Sequence, residues 1–210
     1  MISELARATL ESLYMIFLSG FLSIVIGMPL GILLYSFSDS RRFVTLYRVM
    51  DLSVNVFRSI PFIILILLLI PVTKQVTGTI IGPNAAVFNL TVAASPFFAR
   101  LTENALNTLP RGIVDSAQAI GVTYRQFVLS VLIPETLPDH ILNVSLLLIN
   151  LVTYTAIAGA VGAGGLGQLA INYGYYRFQW DVVLYSVIIL VLISQIIQLV
   201  GTRVAKVLRK

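Results

Sequence analysis

The sequence contains no cysteine, which removes disulfide frameworks and thiolate metal sites together. It has one histidine, His140, without a partner at His-x-x-x-His spacing, so it reads as an interfacial histidine rather than a metal ligand. Charge is scarce: 11% of the 210 residues are Asp, Glu, Lys or Arg, against about 25% in a soluble domain. No Gly-x4-Gly-Lys-Ser/Thr segment occurs, so the chain has no phosphate-cradling loop and is not expected to hydrolyse ATP itself. No cluster of His, Asp or Glu marks a membrane-face enzyme site either. The chain is expected to carry no catalytic, cofactor or metal residue.

What is present is apolar. Hydrophobic residues make up 58% of the chain, more than a soluble core of this size could hide and what lipid can accept. Fourteen Lys and Arg against nine Asp and Glu leave a net charge of +5. In a soluble protein that balance would suggest nucleic acid. Here the basic residues sit between apolar runs, where they act as orientation signals, and no nucleic-acid partner is expected.

Five runs are long enough to cross a bilayer, which needs about 20 residues. They cover Ser12 to Phe37, Val54 to Pro71, Ala85 to about Arg100, Ile141 to Val161 and Val182 to Val200. The first is too long for a signal-peptide core and lacks its flanking pattern, so it reads as a retained helix. The expected fold is an all-α integral membrane domain of five spans occupying residues 1–210 as one unit. With the C-terminus inside, the cytoplasm receives Arg41, Arg42, Arg48, Arg58, Arg100, Arg111, Arg125, Arg203, Lys206, Arg209 and Lys210, and the outside only Arg7, Lys74 and Arg177. That asymmetry predicts an outside N-terminus and places the loop at about 107–140 in the cytoplasm.

Gly20, Gly27, Pro29 and Gly31 in the first run, Pro61 in the second and Pro96 in the third weaken helices. They serve either close packing or bending during a transport cycle, since proline kinks a helix. Gly162-Ala-Gly164-Gly-Leu-Gly167 formally matches a dinucleotide-binding turn, but a span precedes it and the soluble strand-helix context is missing. The charges in the second and third runs, Arg58 and Arg100, fall near the predicted cytoplasmic ends, and no acidic residue is placed at mid-membrane. Ion-coupled carriers usually bury one there. The pathway should therefore be apolar and hydroxyl-lined, with Asn150, Thr153, Tyr154 and Thr155 as its polar candidates.

The loop is patterned like structure rather than connector. Pro110 suits a first helical turn, Ile113, Ala117 and Ile120 recur at helical spacing, and Gly121 is a C-terminal stop. Thr123 and Gln126 form a capping-box opening for a second short helix, which Pro134 should end. Two short helices on a glycine turn would make a knob able to dock in a groove of a soluble partner.

These residues resemble the cytoplasmic loop E-A-A-x3-G-x9-I-x-L-P of ATP-binding-cassette importer permeases. Asp115, Ser116 and Ala117 are followed after three residues by Gly121, and after nine more by Val131, Leu132, Ile133 and Pro134. Asp115 for Glu and Ser116 for Ala are departures that touch the fine geometry of docking. Phe57 to Leu65, Ser95 to Arg100, Glu103 to Leu106 and Ala158 to Gly167 look like the methionine-importer branch. The resemblance implies a type I importer permease fold and a homodimer set on two copies of a separate ATPase, which would bind ATP and Mg. It also implies an external methionine-binding protein and an inner (plasma) membrane location. By the same resemblance Asp115, Ser116, Ala117, Gly121, Val131 and Pro134 would couple to the ATPase. The face carrying Tyr154 and Ile157 would line the pathway, with Ile157 as an apolar gate. Ser59 and Pro61, whose proline should free a backbone carbonyl, are a second pathway candidate. The rival reading is a self-contained secondary carrier or channel.

Overall fold

The computed structural model describes residues 1–38 and 43–209, the side chain of Gln118 excepted. Arg41, Arg42 and Lys210, counted in the charge asymmetry, lie outside the described residues. All regular structure among the described residues is helical. The helices are α1 (Ile2–Ser38), α2 (Val44–Ser59), α3 (Phe62–Thr77), α4 (Pro83–Asn107), α5 (Arg111–Ala119), α6 (Tyr124–Gln126), α7 (Ile133–Glu135), α8 (Leu137–Gly159), α9 (Gly165–Ala170) and α10 (Trp180–Leu208). Phe127–Leu132 and Ile171–Tyr175 wind as π-turns.

Four helices, α1, α4, α8 and α10, are each long and apolar enough to cross a membrane. The fifth crossing is the α2–α3 pair, and here the structure departs from a straight run over Val54 to Pro71. The pair bends by 109° at Ile60 and Pro61. A residue before proline is pushed out of the helical region, and Ile60 sits at φ −79°, ψ 123°. Pro29, Pro71 and Pro96 stay inside continuous helices, so of the prolines in these runs Pro61 is the one that breaks its span. The third run also extends further than its hydropathy suggests. Pro83 opens α4 and the helix continues to Asn107, which brings Glu103 into it.

The bundle is centred on α4, whose one face packs against α1. Gly27 and Gly31 permit the contact: a Cβ on Gly27 would lie 2.7 Å from the Ser95 carbonyl oxygen, and one on Gly31 2.5 Å from that of Ala99. Small residues replace the hydrophobic drive that lipid does not supply between helices. Met15, Leu65, Leu90, Phe98, Leu147 and Leu151 form the core between α1, α3, α4 and α8. The bundle has two ends. One carries α5 to α7 and the last turn of α10, and is called the loop end below. The other carries the N-terminus and the turn from Gly159 to Gly167, and is called the glycine end.

Candidate functional site

At the loop end, α5 forms as the sequence suggests and closes with Gly121 in the left-handed region, φ 78°. The Val122 N–H reaches back to the Ala117 carbonyl at 3.4 Å, the six-to-one bond of a glycine-capped helix end. The Thr123 and Gln126 capping box is present, each side chain meeting the other's backbone N–H. Beyond it the expectation of a second free helix stopped by Pro134 is corrected. Pro134 lies inside α7, and the ladder ahead of it shifts to π-spacing, with Ile133 N–H bonded to Val128 O. A proline without an N–H makes that register change inexpensive. The segment then runs on into α8.

This segment is anchored rather than projecting. Leu106, Val128 and Leu132 form a buried cluster with Tyr35 and Ile32 of α1 around them, and the hydroxyls of Ser36 and Tyr124 are bonded. Helix α5 stands off the bundle. Asp115 and Ser116 are exposed on it, Ala117 faces inward, and Ile120 is 80% exposed. Asp115 also borders a cavity of about 390 Å³ between α5 and the ends of α1 and α4. Gly121 and Pro134 are exposed and Val131 is half-buried.

Mid-bundle, the pathway candidates separate. Tyr154 of α8 stacks on Phe62 of α3 with ring centroids 4.5 Å apart and planes 9° from parallel. Ile157 packs against the main core and is half-buried. Ser59 is exposed and spends its hydroxyl on the Asn55 carbonyl at 2.8 Å. The expectation of a free carbonyl at Pro61 is corrected. The Phe57 oxygen, which loses its helical donor to the proline, accepts the Ile60 N–H at 3.4 Å, and the Pro61 oxygen accepts from Ile64 at 2.9 Å and Leu65 at 3.0 Å. Thr155 is buried and bonded to the Val152 carbonyl, while Thr153 is exposed.

The elbow moves Arg58 as well. It sits exposed in the last turn of α2 and borders a cavity of about 190 Å³ with Phe57, Phe62, Phe97, Asn150 and Tyr154. Phe97, Asn150 and Tyr154 all lie in the interior of their helices.

Sequence reasoning missed a second polar group between α2 and α4. Arg100 donates to Asp51, to Glu103 at 2.6 Å and to Asn55 at 3.1 Å. The Tyr47 hydroxyl meets the far Glu103 oxygen at 3.3 Å, and Asn55 donates to Asp51 at 3.2 Å. Glu103 is 2% exposed, so an acid does lie inside the bundle, already neutralised. The spacing of Arg100 and Glu103, three apart on one helix face, was the available signal. The partner on α2 had none.

At the glycine end, Gly162, Gly164 and Gly165 adopt φ of 86°, 90° and 73°, a turn closed to side chains. The Gly165 N–H, the first of α9, donates to the Glu11 carboxylate at 2.9 Å, and Leu166 N–H to Ser12 Oγ at 2.9 Å. An acid at a helix start is favourably placed against its dipole. A Cβ on Gly159 would lie 2.3 Å from the Gln168 nitrogen, so the glycine run serves close helix packing. Tyr173 donates to Glu4 at 2.8 Å, and Tyr175, Tyr176, Phe178 and Trp180 are exposed beside it. No group of three or more His, Cys, Asp or Glu is placed to hold a metal among the described residues.

The family model described as "Binding-protein-dependent transport system inner membrane component" matches residues 27–210. The "Probable D-methionine transport system permease protein MetI" of Vibrio cholerae is 42% identical over 199 residues, covering 94% of this chain and 88% of that protein. The "D-methionine transport system permease protein MetI" of Escherichia coli is 46% identical over 157 residues, 74% of this chain and 72% of the relative. A solved structure of the MetNI methionine ABC transporter in inward-facing conformations superimposes with a TM-score of 0.97 at 43% identity, covering all of this chain and 98% of the other.

Proposed function

The chain belongs to the inner-membrane components of binding-protein-dependent transport systems, a permease subunit of an ABC importer, and we propose that it carries methionine, in its D and L forms, across the inner membrane. The observation that supports this substrate is agreement over the full chain, at 43% identity, with the permease of a methionine transporter. The complex is a homodimer of this chain on two ATPase subunits, which hold ATP and Mg, and an external methionine-binding protein delivers the cargo.

The N-terminus faces outward and the loop end faces the cytoplasm, as the basic residues at Arg111, Arg125, Arg203, Lys206 and Arg209 favour. Helix α5 is then the coupling element. It stands clear of the bundle with Asp115, Ser116 and Ile120 exposed, available to a groove on the ATPase. The remaining motif positions, Ala117, Gly121, Val131 and Pro134, shape that element and anchor it to α8. The elbow at Ser59 to Pro61, with Tyr154 and Ile157, lies along the pathway. The glycine end, with its exposed aromatic side chains and the Glu4, Arg7 and Glu11 row, faces the binding protein. Energy enters through differing contacts of the ATPase with two states of the permease, since a partner shifts an equilibrium only by its differential affinity.

Co-purification tests the assignment. The permease should bring down an ATPase, and Gly121→Arg should lose it while the permease remains a membrane-extracted dimer. Isolation of a lone oligomer that transports under an ion gradient would sink the coupling role. Uptake of labelled methionine should be competed by unlabelled D- and L-methionine, and a failure to compete would reject the substrate alone.

A further inference from the structure

The polar side chains along this bundle differ in whether they find partners. Arg100 has three partners, Asn89 accepts the Thr73 hydroxyl at 2.7 Å, and Asn143 donates to the Leu101 carbonyl at 2.9 Å. Arg58, Asn150 and Tyr154 have none among the described residues for their guanidinium, amide and hydroxyl groups. All three border the same cavity of about 190 Å³. Arg58 is exposed and Asn150 and Tyr154 are half-buried, so all three groups are open to an arriving solute. Three such groups converging on one space describe a binding site rather than a packing defect.

The cavity's chemistry is specific. Arg58 is the one charged group in the lining, and no carboxylate faces it there. A guanidinium recognises a carboxylate by a two-pronged bond. Asn150 offers both a donor and an acceptor. Phe57, Phe62, Phe97 and Tyr154 supply ring faces, with Phe62 and Tyr154 already stacked. Aromatic rings attract a thioether sulfur and an ammonium group. The volume is below the roughly 300–1,000 Å³ of a drug-sized site, and suits one small amino acid.

We infer that this cavity is a substrate station within the permease, taking a zwitterionic amino acid with an uncharged, apolar side chain. Arg58 holds the carboxylate, Asn150 and the Tyr154 hydroxyl take the ammonium end, and the side chain lies among the phenylalanine rings. Selection is then exerted inside the membrane as well as by the external binding protein. A second acidic group on the ligand finds no second cation, and a basic side chain finds no carboxylate. This inference rests on the methionine reading above and assigns residues to it.

The test is transport by the whole complex in proteoliposomes, saturated with binding protein, reported as labelled L-methionine moved per ATP hydrolysed. Arg58→Met should lower that ratio by about tenfold or more, the effect of losing one charge-assisted hydrogen bond. Arg58→Lys should recover much of it. Asn150→Asp, which places a carboxylate in the same cavity, should also lower the ratio while leaving the melting temperature unchanged or higher, because it gives Arg58 an internal partner. A structural role would instead lower the melting temperature in step with transport. Equal ratios for wild type, Arg58→Met and Asn150→Asp would overturn the inference. A wild-type complex that moves no methionine would instead remove the substrate reading on which it rests.

Discussion

Two arginines next to the α2–α4 contact have opposite surroundings. Arg100 is held by Asp51, Glu103 and Asn55 across the α2–α4 contact. Arg58, on the same α2 helix as Asp51 and Asn55, is exposed, borders a cavity and has no partner among the described residues. The first arrangement ties a broken helix to the centre of the bundle. The second leaves a charge ready for something that arrives. The lesson is that surroundings define a charge's role: one enclosed by carboxylates holds helices together, and one exposed at a cavity is open to a ligand.

The contrast breaks most visibly in stability. Arg100→Met leaves Glu103 buried and unpaired, a loss of about 3–5 kcal/mol, which a denaturation midpoint in detergent would register. Arg58→Met should leave that midpoint in place, and an equal drop would show that Arg58 has a structural partner after all. Next in size is the triple change Asp51→Leu, Arg100→Met and Glu103→Leu. It removes the charges together and should return most of the single-variant loss, because apolar replacement of a whole buried ion group is often near neutral. A triple variant as unstable as Arg100→Met would mean the cluster contributes geometry beyond its charges.

Tyr154→Leu tests the wall that the cavity shares with the core. Losing the stacked Phe62 pair should cost about 1 kcal/mol beyond area effects, read as a small shift of the same midpoint. The smallest effect belongs to Tyr173, a half-buried residue whose hydroxyl meets its partner at an exposed site. Its hydrogen bond to Glu4 raises the hydroxyl pKa above the ordinary tyrosine value. The contact is therefore complete at neutral pH and is lost only as pH rises through the raised value. Tyr173→Phe should leave the melting temperature unmoved and delete one late-titrating tyrosine from an alkaline ultraviolet titration.

Much of this was legible in the residues. Hydropathy located all five crossings, because a bilayer imposes a length and an apolar composition on each span. The loop was legible in detail up to Gln126, since Gly121 and the Thr123–Gln126 pair act through bonds a few residues apart. Legibility failed at Pro134 and at the elbow for related reasons. Proline disfavours helix locally, but its surroundings decide the outcome: a register shift at Pro134 inside an anchored segment, a 109° turn at Pro61. Tyr154 was readable as a polar group on a span. Its stacking on Phe62 was not, because 92 positions separate them and no local rule links them.

The sequence by itself determined that the chain spans a membrane, which way its charges bias it, and that a patterned loop lies between its third and fourth spans. These follow from composition and short-range spacing, where the physics acts within a helical turn or across a bilayer's thickness. Only the tertiary structure decided which polar groups find partners. Arg58 and Arg100 look alike in sequence, each a single cation beside an apolar run. The bend at Pro61 and the packing of α2 on α4 gave Arg100 its carboxylates, and left Arg58 facing Asn150 and Tyr154 across a cavity. Such a division depends on distances between helices far apart in the chain, which no local pattern encodes.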